Sequence, residues 1–376
     1  MKLPSHQLIT TQDAWLHCLD LLKIQPIIAL DLEANSMYAY REQICLIQIS
    51  IPEQDYIIDP LAQLDLSGLG ELLADTAIQK VFHAAEYDLL LMKRQYQWEL
   101  HNLFDTMWAA RILGYPRYGL ANLLETVFDI KISKQYQKSN WCKRPLSPEQ
   151  LEYGQHDTHY LLALRNHLYN ELEAAHHLTE AQEIFKAQTL VYPHNQDFDP
   201  HSFWSINGVS ELTPHQQAAL KNLHIFRDQE AQKRNQPPFK IFGDKTLFQI
   251  AKDLPQNQHE LRKVYGMSQG QIYRYGKSLI KIIQESQNEP PPKRPKPHKR
   301  PSEAVVFRYE KLHQWRKERA IERGVESDVI ISRDCLWDLA LHNPSTLDEL
   351  THIETLGDWR RQTYGSAILK VLNNHS

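Results

Sequence analysis

A run of four apolar residues, Ile27-Ile28-Ala29-Leu30, stops abruptly at Asp31-Leu32-Glu33. The run is rich in β-branched side chains and short, which predicts a buried strand. Side chains alternate along a strand, so Asp31 and Glu33 share a face, about 6–7 Å apart. Two carboxylates at the end of a buried strand are costly unless a positive charge neutralises them. A hard divalent cation, which takes carboxylate oxygens, would do so. A strand running out into a solvated acidic loop would also account for this stretch taken alone.

The chain has 376 residues, 42% hydrophobic and 23% charged, enough for two or three domains with ordinary cores. No window approaches 18 uncharged apolar residues, and Met1–Gln12 has no basic segment followed by an apolar run, so neither a membrane span nor a signal peptide is expected. Cys18, Cys45, Cys142 and Cys335 are scattered, without the spacing of a zinc site or a disulfide framework. A reduced, cytoplasmic protein is the expectation, with Cys45 and Cys142 inert. The net charge of −4 divides into 14 basic against 22 acidic residues over 1–175, and 28 against 24 over 176–376. Charge of that size does not announce a polyanion binder.

Around the acidic strand, the pattern predicts a helix from Thr10 or Thr11 to Leu22, strands over 43–51 and 55–59, a short helix over 69–74 and a strand over 80–83. A helix over 84–96 then places Asp88 in its first turns, just past a strand end. A strand over 100–104 leads to helices over 105–113 and 119–128. Residues 131–147 are polar, basic and aromatic without a period. Ser147-Pro148-Glu149-Gln150 opens a helix running to about Ala175. On it Tyr153 and Asp157, four apart, share a face.

Four carboxylates, Asp31, Glu33, Asp88 and Asp157, thus stand on strand ends and helices of one α/β half. The motifs ALDLEA, FHAAEYDLLLM and EYGQHDTHYLL, in this order, resemble those of the DEDD exonucleases on a ribonuclease H-like fold. The Y-x-x-x-D spacing of Tyr153 and Asp157 marks the tyrosine branch. NLFDTMWAARILGYPRYGLANLLE and SNWCKRPLSPEQLEY extend the resemblance, within that branch, to the ribonuclease D family over nearly all of residues 20–170. Two positions depart from it: Ala34 stands where the family has an aromatic residue, and Asn140 where it has an acid.

The resemblance implies a metal-dependent 3′→5′ exoribonuclease that releases nucleoside 5′-monophosphates from RNA 3′ ends, tRNA precursors above all. It implies two divalent ions, Mg²⁺ or Mn²⁺, with Asp31 bridging both. Glu33 and Asp157 would hold the nucleophile-side ion, Asp88 the leaving-group ion, and Tyr153 would orient the water. A DNA exonuclease and a non-catalytic RNA-binding scaffold are the alternatives. Asp105, between a strand and a helix, reads as an N-cap or a support for the metal ligands, and His83 as a hydrogen-bonding neighbour. Lys138, Trp141, Lys143 and Arg144, basic residues around an aromatic, are candidate RNA contacts or a solvated loop. No membrane and no obligate protein partner is expected.

The rest of the chain repeats itself. A shift of 89 residues superposes 221–283 on 310–372 without a gap: Leu223, His224, Arg227 and Ala231 fall on Leu312, His313, Arg316 and Ala320. Tyr275-Gly276 falls on Tyr364-Gly365. Fixed-period self-similarity means two copies of one module. KLHQWRKERA and YGSAIL resemble the HRDC domain, a small helical bundle. The expected layout is a nuclease at 1–175, a connector at 176–210, a first HRDC-like module at 211–288, a Pro/Lys-rich linker at 289–302 and a second module at 303–376. The modules would dock on the nuclease or capture RNA, with Lys233, Arg234, Lys240, Lys263 and Arg274 as phosphate contacts.

Overall fold

The computed structural model describes residues 3–190, 192–193, 197–295 and 300–373. Part of the Pro/Lys-rich linker, residues 296–299, lies outside them. Two compact units are present: Met1–Ala34 with Ile44–Pro193 and Lys299–Ser376, and Asn35–Gln43 with His194–His298. The second helical module therefore belongs to the nuclease unit.

A six-stranded mixed sheet organises the first unit, with order β1-β4-β3-β2-β5-β6. Its strands are β1 (Gln7–Ile9), β2 (Ile27–Ala34), β3 (Ile44–Ile51), β4 (Gln54–Ile58), β5 (Gln79–Phe82) and β6 (Leu103–Asp105). β2, β3 and β4 form an antiparallel meander, while β5, β6 and β1 join in parallel. Every residue of β3 is buried, so both faces of this central strand are covered. β1, three residues with one buried, carries too little pattern to predict.

Helices α1 (Gln12–Lys23), α2 (Ser67–Ala74), α3 (Glu86–Tyr96), α4 (Thr106–Ile112) and α5 (Leu120–Phe128) cover the sheet, followed by α6 (Pro148–His159), α7 (Leu161–Ala174) and α8 (Leu178–Thr189). Thr11 caps α1 and Ser147 closes a capping box on α6, as their positions predict. The single helix expected from Ser147 to Ala175 is two helices, interrupted at Tyr160. The expected connector begins with a helix, α8, whose Ala181, Ile184 and Phe185 enter the nuclease core.

The first module comprises α9 (Pro214–Arg234), α10 (Pro238–Ile241), α11 (Asp244–Asp253), α12 (Gln258–Leu261) and α13 (Gln269–Ser286); the second repeats the order as α14 (Glu303–Arg323), α15 (Ser327–Ile330), α16 (Arg333–His342), a 3-10 turn and α17 (Asp358–Asn373). Hydrogen bonds obey the 89-residue shift. Buried Arg227 donates to the Phe242 carbonyl at 3.1 Å, and buried Arg316 to the Ile331 carbonyl at 3.0 Å. Gln271 donates to the Ile241 carbonyl and Arg360 to that of Ile330.

The second module packs firmly into its unit. Val329 lies in the nuclease core, and Arg323 donates to both oxygens of fully buried Glu180 at 2.7 and 3.0 Å. Arg360 donates to Glu183, and Arg111 of α4 to Glu326 and Asp328. Gly114, at φ +79°, brings its backbone so close to the Gly324 carbonyl that a Cβ would lie 3.0 Å from that oxygen. No described helix is long and apolar enough to cross a membrane.

Candidate metal centre and nuclease cleft

β2 ends at the site. Asp31 pairs with Gln48 and Glu33 with Leu46 across the antiparallel ladder, and a bulge follows between Glu33 and Ala34. α6 lies against β3 beside them, close enough that a Cβ on Gly154 would meet the Gln48 amide at 3.0 Å. That approach carries Tyr153 and Asp157 up to the strand end. Carboxylate oxygens of Asp31, Glu33 and Asp157 all lie within 4.8 Å of one another. Asp88, buried in the first turn of α3, stands outside that triangle, but its charge reaches Asp31 and Glu33.

Uncompensated, such a cluster holds its protons. Burial first, then Asp88, Asp157 and Glu33, raises the Asp31 carboxyl well above the usual range. Burial, then Asp157 and Asp88, pushes Glu33 up to about 9, and burial pushes Asp157 to about 7. Asp88 is raised by burial, then by Asp105 and Asp157. Oxygen donors of this charge fit hard divalent cations, which supply the missing positive charge.

Asp105 holds the turn before α3. It caps α4 by accepting from the Met107 and Trp108 amides at 2.9 and 3.2 Å, and it also accepts from the Ala84 and Ala85 amides at 3.1 and 2.9 Å. Ala84 has φ +62°, a left-handed conformation costly for alanine. His83 lines the cleft, its Nδ1 2.9 Å from the Thr106 hydroxyl, and burial lowers its pKa to about 4, leaving a neutral ring.

Tyr153 also lines the cleft and packs against Tyr136 and Trp141, with ring centroids 6.3 and 5.8 Å away. Burial, then the charges of Asp157, Glu33 and Asp31, drives its phenol pKa far above the ordinary value. The hydroxyl therefore stays protonated.

The segment 131–147 departs from expectation at Trp141, Arg144 and Cys142. Trp141 is 1% exposed and packs with Cys45, Leu46 and Ile57, so it offers no face for a base. Arg144 is committed inward: it donates to both Asp59 oxygens at 2.6 and 2.7 Å and to the carbonyls of Trp141 and Cys45. Cys45 and Cys142, expected to be inert and outside any disulfide framework, form a disulfide across 97 residues. Lys138 and Lys143 are exposed and stand apart from the cleft lining. Lys134 and Gln137 instead line this cleft of about 330 Å³, as do Gly119 and Leu120. Nothing in the sequence separates Lys134 from Lys138; the chain path does.

Comparison with known proteins agrees with this geometry. A 3′-5′ exonuclease family model matches residues 6–173, and an HRDC domain model matches 216–283 and 308–372. Ribonuclease D of Pseudomonas paraeruginosa is 29% identical over 363 residues, 94% of this chain and 93% of its own. That of Granulibacter bethesdensis is 27% identical over 99% of this chain and 94% of its own. The crystal structure of Escherichia coli RNase D, an exoribonuclease involved in structured RNA processing, matches with a TM-score of 0.70 and 26% identity, covering 99% of this chain and 100% of that one. The catalytic core of RRP6 from Trypanosoma brucei matches with a TM-score of 0.68 and 25% identity, over 75% of this chain and 79% of that one.

Fold and site thus define a 3′–5′ exonuclease domain joined to two HRDC domains, in a family whose nucleases depend on metal. The chain is similar to ribonuclease D over nearly its whole length and is a 3′–5′ exoribonuclease; a DNA exonuclease is not favoured.

Proposed function

We propose that this exoribonuclease removes nucleotides one at a time as 5′-monophosphates, working on structured RNAs such as tRNA precursors. The supporting observation is the triangle of Asp31, Glu33 and Asp157 oxygens within 4.8 Å, backed by Asp88. These four side chains would hold a pair of divalent ions, Mg²⁺ or Mn²⁺. When bound, the ions would supply an activated water and neutralise charge on the leaving 3′-oxygen.

The chain's own groups do the rest. Tyr153, kept protonated, donates toward the attacked phosphate or orients the water beside Asp157. Lys134, on the cleft wall, meets a phosphate oxygen with its ammonium. Neutral His83 donates or accepts within the cleft without adding charge. Asp105 fixes the Ala84–Ala85 turn and, through it, the start of α3 and Asp88. Lys143, exposed outside the cleft lining, would meet an upstream phosphate.

RNA and DNA strands of one sequence, incubated with Mg²⁺ or Mn²⁺ and analysed by chromatography, test this reading. Release of 5′-mononucleotides from RNA, much faster than from DNA, is expected. Release of 3′-monophosphates, or equal rates on both strands, would overturn it.

A further inference from the structure

The face of β3 turned toward α6 carries Leu46, Gln48 and Ser50, alternating with Ile47 and Ile49. α6 lies directly on it. A Cβ on Gly154 would stand 3.0 Å from the Gln48 amide nitrogen and 3.5 Å from the Leu46 side chain. The outer two of the three are satisfied. Leu46 clusters with Ile57, Trp141 and Tyr153. The Ser50 hydroxyl donates to buried Asp55 at 2.6 Å and lies 2.8 Å from the Thr158 hydroxyl of α6.

Gln48, between them, is not. It is 0% exposed, and neither its amide oxygen nor its amide nitrogen has a hydrogen-bond partner among the described residues. The other buried amides are bonded: Asn35 accepts from the Gln43 backbone, and Gln155 donates to Asp55 and to the Pro4 carbonyl. A buried amide without partners gives up its bonds to water and recovers none, whereas an apolar side chain of the same length would lose nothing there. The fold therefore does not explain a glutamine at this position. Its place in the sheet does. Gln48 stands directly opposite Asp31 in the antiparallel β2–β3 pair, so the two side chains leave the same face with Cβ atoms about 4.5–5.5 Å apart. Gly154, over the amide, lies on α6 between Tyr153 and Asp157. The amide thus sits between the sheet face that carries Asp31 and the helix that carries Asp157.

We propose that Gln48 is a positioning residue of the metal centre, its amide donating a hydrogen bond to the Asp31 carboxylate when that carboxylate holds a divalent ion. A neutral donor suits the place. It orients one carboxylate oxygen, leaves the other to the ion, and adds no positive charge that would compete with it. The terminal torsion of glutamine is soft, so the amide turns toward Asp31 without strain. The assignment rests on the reading of Asp31 as a metal ligand.

The test titrates the full chain with Mn²⁺ by calorimetry and follows its thermal melting in EDTA. Gln48→Met keeps the length of the side chain and removes both polar atoms; Gln48→Leu is the shorter variant, for use where methionine crowds Gly154. At least one of them is expected to melt in EDTA no lower than wild type, because it buries no unsatisfied group. The same variant is expected to bind Mn²⁺ about 10–100-fold more weakly. On RNA its kcat should fall over a similar range while KM stays within about twofold, since a fully buried side chain meets no substrate. A merely structural glutamine would do the reverse, lowering the melting temperature and sparing metal affinity. Mn²⁺ affinity within about twofold of wild type, or melting lowered in both variants, overturns the proposal. Asp31→Ala, titrated alongside, separates the two readings. If it loses Mn²⁺ while the Gln48 variants keep it, the role of Gln48 fails alone; if it binds Mn²⁺ like wild type, the metal centre fails and the role of Gln48 with it.

Discussion

Arg144 grips Asp59 with two hydrogen bonds, Nε to Oδ2 at 2.6 Å and a terminal nitrogen to Oδ1 at 2.7 Å. The pair joins the loop after Trp141 to the end of β4, and the same guanidinium reaches the Cys45 carbonyl on β3. A residue that reads in sequence as a phosphate contact is therefore a bracket joining β3, β4 and the loop that carries Trp141. Arg144→Ala is expected to cost about 2–4 kcal/mol in urea unfolding, because it strands a mostly buried carboxylate. Arg144→Lys should recover little of it, since a point charge cannot reproduce the fork. RNA affinity in EDTA should stay unchanged; a fall in affinity without loss of stability would return Arg144 to the RNA-contacting set.

Asp105 serves four backbone amides and is not itself one of the residues that line the cleft. Asp105→Ala removes a helix cap and both acceptors that hold the Ala84 turn, a loss of about 2–4 kcal/mol. Because α3 starts at that turn, Asp88 should shift, and kcat should fall by up to about a hundredfold. Asp105→Asn, which keeps one acceptor oxygen, should fall between. The check is steady-state trimming beside chemical denaturation; unchanged kcat in Asp105→Ala would separate the turn from the site.

Proton uptake gives the metal-free site a pH signature. Glu33 and Asp157, pushed up to about 9 and about 7, bind protons more tightly folded than unfolded. Their contribution to stability is full below about pH 4, the unfolded range. It is lost as pH rises through the folded values, near 7 and then 9. Melting temperature in EDTA should therefore fall between pH 6 and 9. Divalent metal displaces those protons, so the rise in melting temperature on adding Mg²⁺ or Mn²⁺ should grow over the same range. A metal-induced shift that shrinks with pH would contradict a carboxylate centre.

The second module's attachment is equally open to test. Glu180 is fully buried, with Arg323 on both of its oxygens and His177 3.1 Å away. Arg323→Ala leaves that charge unpaired and should destabilise the unit by about 3–5 kcal/mol, measured by denaturation. Replacing exposed Arg319, on the same helix, should cost under about 1 kcal/mol. Equal effects would mean the module is not held by this pair.

Much of this was legible because it is local. The acid-ended strand, the Thr11 and Ser147 caps, the Y-x-x-x-D face of α6 and the 89-residue repeat each depend on residues close together or on a fixed period. What escaped depends on where distant segments meet. Cys45 and Cys142 are 97 residues apart, and neither has a neighbour that announces a bond. Trp141 reads as a stacking residue until Cys45, Leu46 and Ile57 are seen to enclose it. Lys134 could not be told from Lys138 before the path of the 131–147 segment was known. β1 was too short to carry a period, and α8 was masked by its polar exposed face.

The central claim is that Asp31, Glu33, Asp88 and Asp157 form the metal site of a nuclease that shortens RNA from its 3′ end. A 5′-labelled single-stranded RNA, incubated with Mg²⁺ and then Mn²⁺, tests it most directly, with wild type beside Asp31→Ala. A ladder that shortens stepwise from the 3′ end in wild type, and is absent in Asp31→Ala and in EDTA, is the predicted result. Equal ladders from both proteins, or intact RNA that stays bound by both, would contradict it.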